Sequence, residues 1–500
     1  MSNISKSLSW LSAFLFLHNA PSYAQDNTIH RIKQAIPAID SIYQAFASRH
    51  HSPGLAYAIV YQDSVLHMGA LGHTDINQQT PVTTRSVFRI ASMSKSFIAT
   101  AILQLRDVGK LNLDDPITHY IPELENQHML TTDAPRITIR HLLTHTAGFP
   151  EDNPWGDRQL EISDGEFRAL VADGFTFSNV PGIHYEYSNT GYALLGEVIR
   201  RVSGQRYDAY INANLLAPLG MTNTYWEYTD VADSLLAKGY RWVNDQWAEQ
   251  PMLHDGAYGA MGGLMTSMED FVKYTAFHLE AWPARNGDDR GPLRRASVRE
   301  MQQPWTFNNL ATSGDCPTVS AYGYGLRWTR DCANVTTVGH SGGLPGFGSN
   351  WLILPDYGVG IICFSNVTYA PTTAVNTLVA TEIIGRSDLE PHKVPVSAIL
   401  KQRQAELVGF LPHWAGAEDS ESFAVNFFLD SPVDVRREES EIIFADAGNV
   451  RKVNALVAEN NLRGTFIIEC EYRNIAVHFT LSPERIPRIQ QVSIRLAADD

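Results

Sequence analysis

Ser92-Met93-Ser94-Lys95 leads directly into the apolar-periodic run from Phe97 to Leu105, and the reading of the chain turns on this junction. Residues three apart share a face of an α-helix, so the Lys95 amine can reach the Ser92 hydroxyl across a first turn. Helix starts also leave backbone N–H groups unpaired, which gives an oxyanion formed at Ser92 ready donors. Of nine lysines, only Lys95 has a serine three residues before it. A serine and lysine so spaced are, taken alone, most often a helix cap beside a solvated lysine, so the rest of the chain must supply the parts of a site.

Two further elements follow in order. Tyr187-Ser188-Asn189 stands between Pro181-Gly182 and Thr190-Gly191, on a loop entering a helix. A phenol near an ammonium can lose its proton more readily and serve as a general base, and an amide two residues on can bond substrate and lysine together. Two other Tyr-x-Asn sequences, Tyr210-Ile211-Asn212 and Tyr472-Arg473-Asn474, read as structural. His340-Ser341-Gly342-Gly343 comes just after a strand predicted over Val335 to Gly339. A glycine-bearing edge strand lets a substrate backbone pair with it, and the Gly343 N–H is a second candidate oxyanion donor. Gly339 to Gly343 also fits a G-x-S-x-G elbow with Ser341 as nucleophile. That elbow must run from strand into helix, and Leu344-Pro345-Gly346-Phe347-Gly348 cannot start one.

Working outward, helical periodicity covers residues 28 to 49, and Leu55 to Tyr61 and Val65 to Leu71 form a hairpin about Gln62-Asp63-Ser64. Phe97 to about Leu219 reads as mostly helical, and Ser267-Met268-Glu269-Asp270 as a capping-box start of another helix. From Tyr322 the period is two, with strands over Tyr322 to Thr329, Val335 to Gly339, Asn350 to Leu354 and Val359 to Phe364, then a helix over 372 to 385. Strands at both ends and helices between predict an α+β sandwich: a mostly antiparallel sheet flanked by helices, with an all-α insertion. Past Arg386 the texture changes. Phe423 to Phe428, Glu441 to Phe444, Thr465 to Tyr472, Ile475 to Leu481 and Gln490 to Leu496 read as strands of a small antiparallel β-domain. The predicted domains are a leader over 1–24, a catalytic domain over 25–386, and a linker with the β-domain over 387–500.

Composition narrows the function classes. Hydrophobic residues at 44% and charged ones at 19% describe a folded globular chain rather than a disordered one. The net charge of −15 and the lack of a basic stripe argue against nucleic-acid binding. Lys6, the apolar run Leu8 to Leu17 and Ser22-Tyr23-Ala24 read as a signal peptide cleaved after Ala24, hence a periplasmic or secreted protein. That run is about half the roughly 20 residues a membrane span needs, and no other stretch is longer, so no span is expected in the mature chain. Four cysteines are too few for a disulfide scaffold; Cys316 and Cys332 leave one bridge open, while Cys363 and Cys470 read as buried thiols. No Cys/His spacing suggests a metal, no cofactor is called for, and oligomeric state is not legible.

Phe88 to Lys95, Ile137-Thr138-Ile139-Arg140-His141-Leu142-Leu143-Thr144-His145-Thr146-Ala147-Gly148, Tyr187-Ser188-Asn189 and Gly339 to Gly348 together resemble the penicillin-recognising serine hydrolases, in the branch of class C β-lactamases, D-aminopeptidases and carboxylesterases. The resemblance covers roughly residues 30 to 385. It implies an acyl-enzyme on Ser92, Lys95 and Tyr187 as proton shuttles, Asn189, His340, Gly342 and Gly343 as substrate-binding residues, and an oxyanion hole from the Ser92 and Gly343 N–H groups. One departure matters: His340-Ser341-Gly342 stands where β-lactamases and DD-peptidases usually carry Lys-Thr-Gly. An unperturbed imidazole is only about one quarter protonated at pH 7, so the cation that binds a substrate carboxylate is weakened. The expected function is therefore an exported peptidase or esterase acting on D-residue peptides or small esters. The alternatives are a β-lactamase or DD-carboxypeptidase, and a non-catalytic binding or sensor protein on the same fold.

Overall fold

A computed structural model describes residues 20–125 and 127–497. The predicted leader lies outside the described residues up to residue 19. Helix α1 spans Ala20–Arg49, and the expected hairpin follows as β1 (Gly54–Tyr61) and β2 (Ser64–Asp75), with the short β3 (Thr80–Pro81) beside it. Helix α2 (Ser94–Asp107) starts just past Ser92. The helical region contains α3 (Asn189–Ser203) and is followed by α4 (Met268–Glu280). The chain then lays down β4 (Thr306–Ala311), β5 (Thr318–Tyr322), β6 (Arg327–Arg330), β7 (Thr336–Leu344), β8 (Phe347–Leu354) and β9 (Val359–Ser365), and closes with α5 (Thr372–Ser387).

These strands form one antiparallel sheet of order β3-β2-β1-β9-β8-β7-β6-β5-β4, so the two ends of the unit meet where β1 pairs with β9. Strand periodicity splits the core. Leu55, Tyr57 and Ile59 face α1 and α5 with Ile32, Ile39, Val379 and Ile383, whereas Ala56, Ala58 and Val60 belong to the core that holds Phe97, Phe271 and Trp351. Each fully buried Ile or Leu here contributes about 1.5–3 kcal/mol. The result is the expected helix-flanked antiparallel sheet.

The structure departs from the sequence reading at several points. The single strand expected over Tyr322 to Thr329 is two strands, β5 and β6, joined by a tight turn. Gly325 takes φ +69°, and a Cβ there would lie 2.7 Å from the Lys95 carbonyl. His340 to Gly343 lie inside β7 rather than after it. β7 is also interior to the sheet order, but β6 pairs with it only over residues 336–339, which leaves 340–344 bonded to β8 alone. Ser267 caps α4 through the Asp270 N–H at 3.3 Å, yet the Asp270 carboxylate does not return the bond. It accepts instead from the Asn223 N–H, Thr224 and Lys273. Cys316 and Cys332 are disulfide-bonded, while Cys363 and Cys470 are buried free thiols.

The chain divides into compact units at Glu390/Pro391. The second unit carries α6 (Ala398–Phe410), α7 (Val433–Ala447) and an antiparallel sheet of β10 (Val450–Val453), β11 (Val457–Asn460), β12 (Arg463–Cys470), β13 (Ile475–Leu481) and β14 (Ile489–Leu496). Glu441 to Phe444, expected as a strand, lies inside α7, whose run of Arg and Glu favours helix between Pro432 and Gly448 at φ +81°. Phe423 to Phe428 is likewise not a strand: a single bridge at Phe423 precedes a helical turn at Phe427–Asp430. Among the described residues no helix is long and apolar enough to cross a membrane.

Gly342 fixes how closely β7 approaches the start of α2. A Cβ there would meet the Ile90 carbonyl at 2.1 Å and the Ser349 hydroxyl at 2.4 Å. Gly342→Ala should therefore cost on the order of 1–3 kcal/mol in urea unfolding through overpacking; unchanged stability would show that this approach is slack.

Candidate active site

Ser92 sits on the 3-10 turn Ala91–Met93 that runs into α2. Ala91 takes φ +50°, a strained conformation for a residue with a Cβ, and the surroundings hold it. The Ser94 hydroxyl donates to the Ala91 carbonyl at 2.6 Å and accepts from the Leu264 N–H at 3.1 Å, and Ser349 donates to the Ile90 carbonyl at 2.8 Å. The turn is thus pinned to α2, to the segment before α4 and to β8.

Lys95 is wholly buried. Its amine donates to the Ser92 hydroxyl at 3.2 Å, to Asn189 Oδ1 at 2.7 Å and to the Met261 carbonyl at 2.8 Å. Burial disfavours the ammonium and brings its pKa down to about 7, against the opposing pull of Asp152 and Asp157. The Met261 carbonyl left no trace in the sequence, because any residue type supplies a carbonyl.

Asn189 is the first residue of α3 and is itself fully buried. Its Oδ1 takes the Lys95 bond, while its Nδ2 donates to Asn153 Oδ1 at 2.9 Å. Its amide therefore orients the lysine beneath the cavity, and Asn153 is the amide on the cavity wall. Asp152 caps the same helix start, accepting from the Asn189 N–H at 2.6 Å, the Thr190 N–H at 2.8 Å and the Thr190 hydroxyl at 2.7 Å. Sequence reasoning missed this residue; a carboxylate at a helix start is a recognisable cap, but Asp152 lies some 37 residues from the helix it caps.

Tyr187 turns its ring to Lys95, with Nζ 4.8 Å from the ring centroid. Burial pushes its phenol well above the ordinary range, opposed by Arg327 and the Ser92 hydroxyl, and among the described residues its oxygen has no partner of hydrogen-bond geometry. The phenol is therefore protonated at rest, and the group poised to take a proton is Lys95. These surroundings disfavour the resting phenolate that the sequence reading would use as a base.

His340 is 2% exposed and doubly bonded. Ser341 O lies 2.5 Å from Nδ1 and the Tyr322 hydroxyl 2.8 Å from Nε2. A carbonyl only accepts, so Nδ1 carries the hydrogen and Nε2 accepts from Tyr322. Burial, then Arg327 and Lys95, hold its pKa well below 6.5, so it is neutral. A cation nevertheless faces this cavity: Arg327, at the start of β6 after the unforeseen turn, lies 5.3 Å from the Tyr187 ring centroid. Among the described residues it pairs with no carboxylate, and its Nε has no partner.

Ser92, Tyr187, His340 and Gly343 line one cavity of about 480 Å³, together with Arg327, Asn153, Asp157 and Tyr369. Gly342 is not on its wall; it packs behind, on Ile90. Gly343 leaves room for the Tyr369 ring, which a Cβ would approach to 2.7 Å. Ser341 lies in a β-hairpin, not on a strand-to-helix elbow. Among the described residues no group of three or more His, Cys, Asp or Glu could hold a metal ion.

The Protein flp of Staphylococcus aureus strain COL is 29% identical over 343 residues, 67% of this chain and 64% of its own length. The match thus spans just under two thirds of that relative. Beta-lactamase-like protein 2 of Dictyostelium discoideum is 26% identical over 377 residues, 73% of this chain and 66% of its own. In fold, the chain is similar to the octameric penicillin-binding protein homologue from Pyrococcus abyssi (TM-score 0.59, 21% identity, 92% of this chain and 100% of that one). It is also similar to a penicillin-binding protein from Bacillus halodurans (TM-score 0.53, 24% identity, 67% and 98%). With the family model named Beta-lactamase matching residues 39–383, the chain belongs to the Beta-lactamase family, whose members are in general serine hydrolases.

Proposed function

We propose that the protein hydrolyses amide or ester bonds through an acyl-enzyme on Ser92, on D-residue peptides or small esters whose leaving group carries a carboxylate. The observation that carries this reading is a wholly buried amine, brought down to about 7, at 3.2 Å from the hydroxyl of Ser92, which lines a cavity of about 480 Å³. Neutral Lys95 takes the Ser92 proton as Oγ attacks the substrate carbonyl, and the Ser92 and Gly343 N–H groups receive the developing oxyanion. Protonated Tyr187 donates to the departing nitrogen or oxygen and is recharged from Lys95. Water then attacks the acyl-enzyme, its proton returns along the same groups, and Ser92 is released.

Arg327 supplies the cation that neutral His340 cannot. An unpaired guanidinium in a partly dry cavity binds a carboxylate bidentately, which supports a carboxylate-bearing substrate and keeps the DD-carboxypeptidase or β-lactamase reading as the second one. An exported location belongs to the same proposal, supported by the leader-like amino terminus and by the Cys316–Cys332 bond, a type that persists in oxidising compartments.

Intact-mass analysis with a fluorophosphonate separates an enzyme from a silent binding protein. The expected result is one stable adduct on the wild type and none on Ser92→Ala. Because the amine is a base only above about 7, adduct formation should rise with pH through that value, on the order of a hundredfold from pH 5 to pH 8. No adduct, or a flat profile, contradicts the reading. Arg327→Met should raise KM about tenfold or more for an acyl-thioglycolate while sparing the uncharged ethyl thioester; equal losses on both would deny the carboxylate role.

A further inference from the structure

The cavity holds two opposite charges that do not neutralise one another. Asp157 is 5% exposed and lines the wall; its Oδ2 accepts from the Tyr369 hydroxyl at 2.7 Å, and among the described residues no base lies within ion-pair distance. Buried carboxylates nearby are used differently. Asp152 is consumed in capping α3, and Asp255 is held by Arg206 at 2.7 Å and by Tyr207 at 2.9 Å. Lys95 is bonded to Ser92, Asn189 and Met261 rather than to Asp157. Asp157 thus forms no ion pair among the described residues and acts on Lys95 only at longer range, although a buried carboxylate without a contacting cation is costly.

The two charges also stand at different places along β7. Arg327 is in register with Gly339, while Asp157 is reached through Tyr369, whose ring lies against Gly343. Four residues of strand separate these points, roughly 13 Å. Arg327 lies beside Tyr187, where the proposed mechanism protonates the leaving group, and Asp157, toward Gly343, is left for the acyl portion.

We infer that Asp157, held by Tyr369, receives an ammonium group on the acyl portion of the substrate, so that the cavity takes a short zwitterionic peptide with a free amino group and a free carboxylate. This rests on the acyl-enzyme reading for its sense of acyl and leaving side, but the recognition itself does not need turnover. Burial lifts the Asp157 carboxyl to about 6, so it is an anion at pH 8, where Lys95, lowered to about 7, is mostly neutral and does not compensate it.

The test is calorimetric binding at pH 8 on full-length Ser92→Ala, which cannot acylate, with trialanine in all-L and all-D forms and the N-acetyl derivative of each. For at least one enantiomeric pair, the free amine should bind at least tenfold more tightly than its acetylated form. Adding Asp157→Asn should bring both to the affinity of the acetylated peptide. Tyr369→Phe, which keeps the carboxylate and removes its donor, should retain the preference; thermal unfolding checks that each variant is folded. Equal affinities in both pairs, a preference that survives Asp157→Asn, or no detectable binding of any peptide overturns the inference. The wild-type fluorophosphonate adduct is followed alongside. If it is absent while the ammonium preference holds, the acyl-enzyme reading fails and the ammonium site stands.

Discussion

The site depends on one constraint, the complete burial of the Lys95 amine. An ammonium taken out of water is costly, and the chain meets that cost by lowering its pKa to about 7 and offering the amine three oxygen acceptors. Each acceptor comes from a different part of the fold: Ser92 from the turn before α2, Asn189 from the first residue of α3, and the Met261 carbonyl from the helical turn Gly259–Gly262. Asp152 caps α3 so that Asn189 is in place, and Ser349 of β8 holds the turn that presents Ser92. The helical insertion and the sheet are thereby joined at the lysine, and the same burial that demands the acceptors makes the amine a base near neutral pH.

Positive charge in the cavity follows a similar logic. His340 cannot be the anchor, since both its nitrogens are bonded and its surroundings hold it neutral. Arg327 carries the charge instead, on the neighbouring strand and among tyrosines whose rings tolerate a cation. On the proposed reading the anchor lies on β6 rather than β7, and the substrate selectivity expected from the histidine alone changes with it: a carboxylate becomes a ligand that the cavity would accommodate.

What was legible in the sequence was what short-range periodicity encodes. The three-residue spacing of Ser92 and Lys95 put them on one helical turn, the apolar runs Leu55 to Tyr61 and Val65 to Leu71 about the polar Gln62-Asp63-Ser64 gave the hairpin, and the spacing of Ile32, Ile36 and Ile39 gave α1. Three kinds of feature were not legible. Gly325 at φ +69° divides an apparently continuous strand, because Tyr322 to Trp328 alternates well enough to hide a turn. The run Glu441 to Phe444 is too short for a period to separate strand from helix, and the flanking charges of α7 decide it. Arg327, Asp157 and the Met261 carbonyl reach the site through tertiary placement alone; none belongs to a local pattern, and a carbonyl has no residue-type signature.

The claim that a neutral buried lysine activates Ser92 is tested most directly by NMR titration of the protein labelled at lysine Cε. With only nine lysines in the chain, the Lys95 signal can be assigned by its loss in Lys95→Met. The account predicts that this signal titrates near pH 7, against about 10.4 for a lysine in a model peptide. A Lys95 signal that stays fully protonated above pH 9 would contradict it.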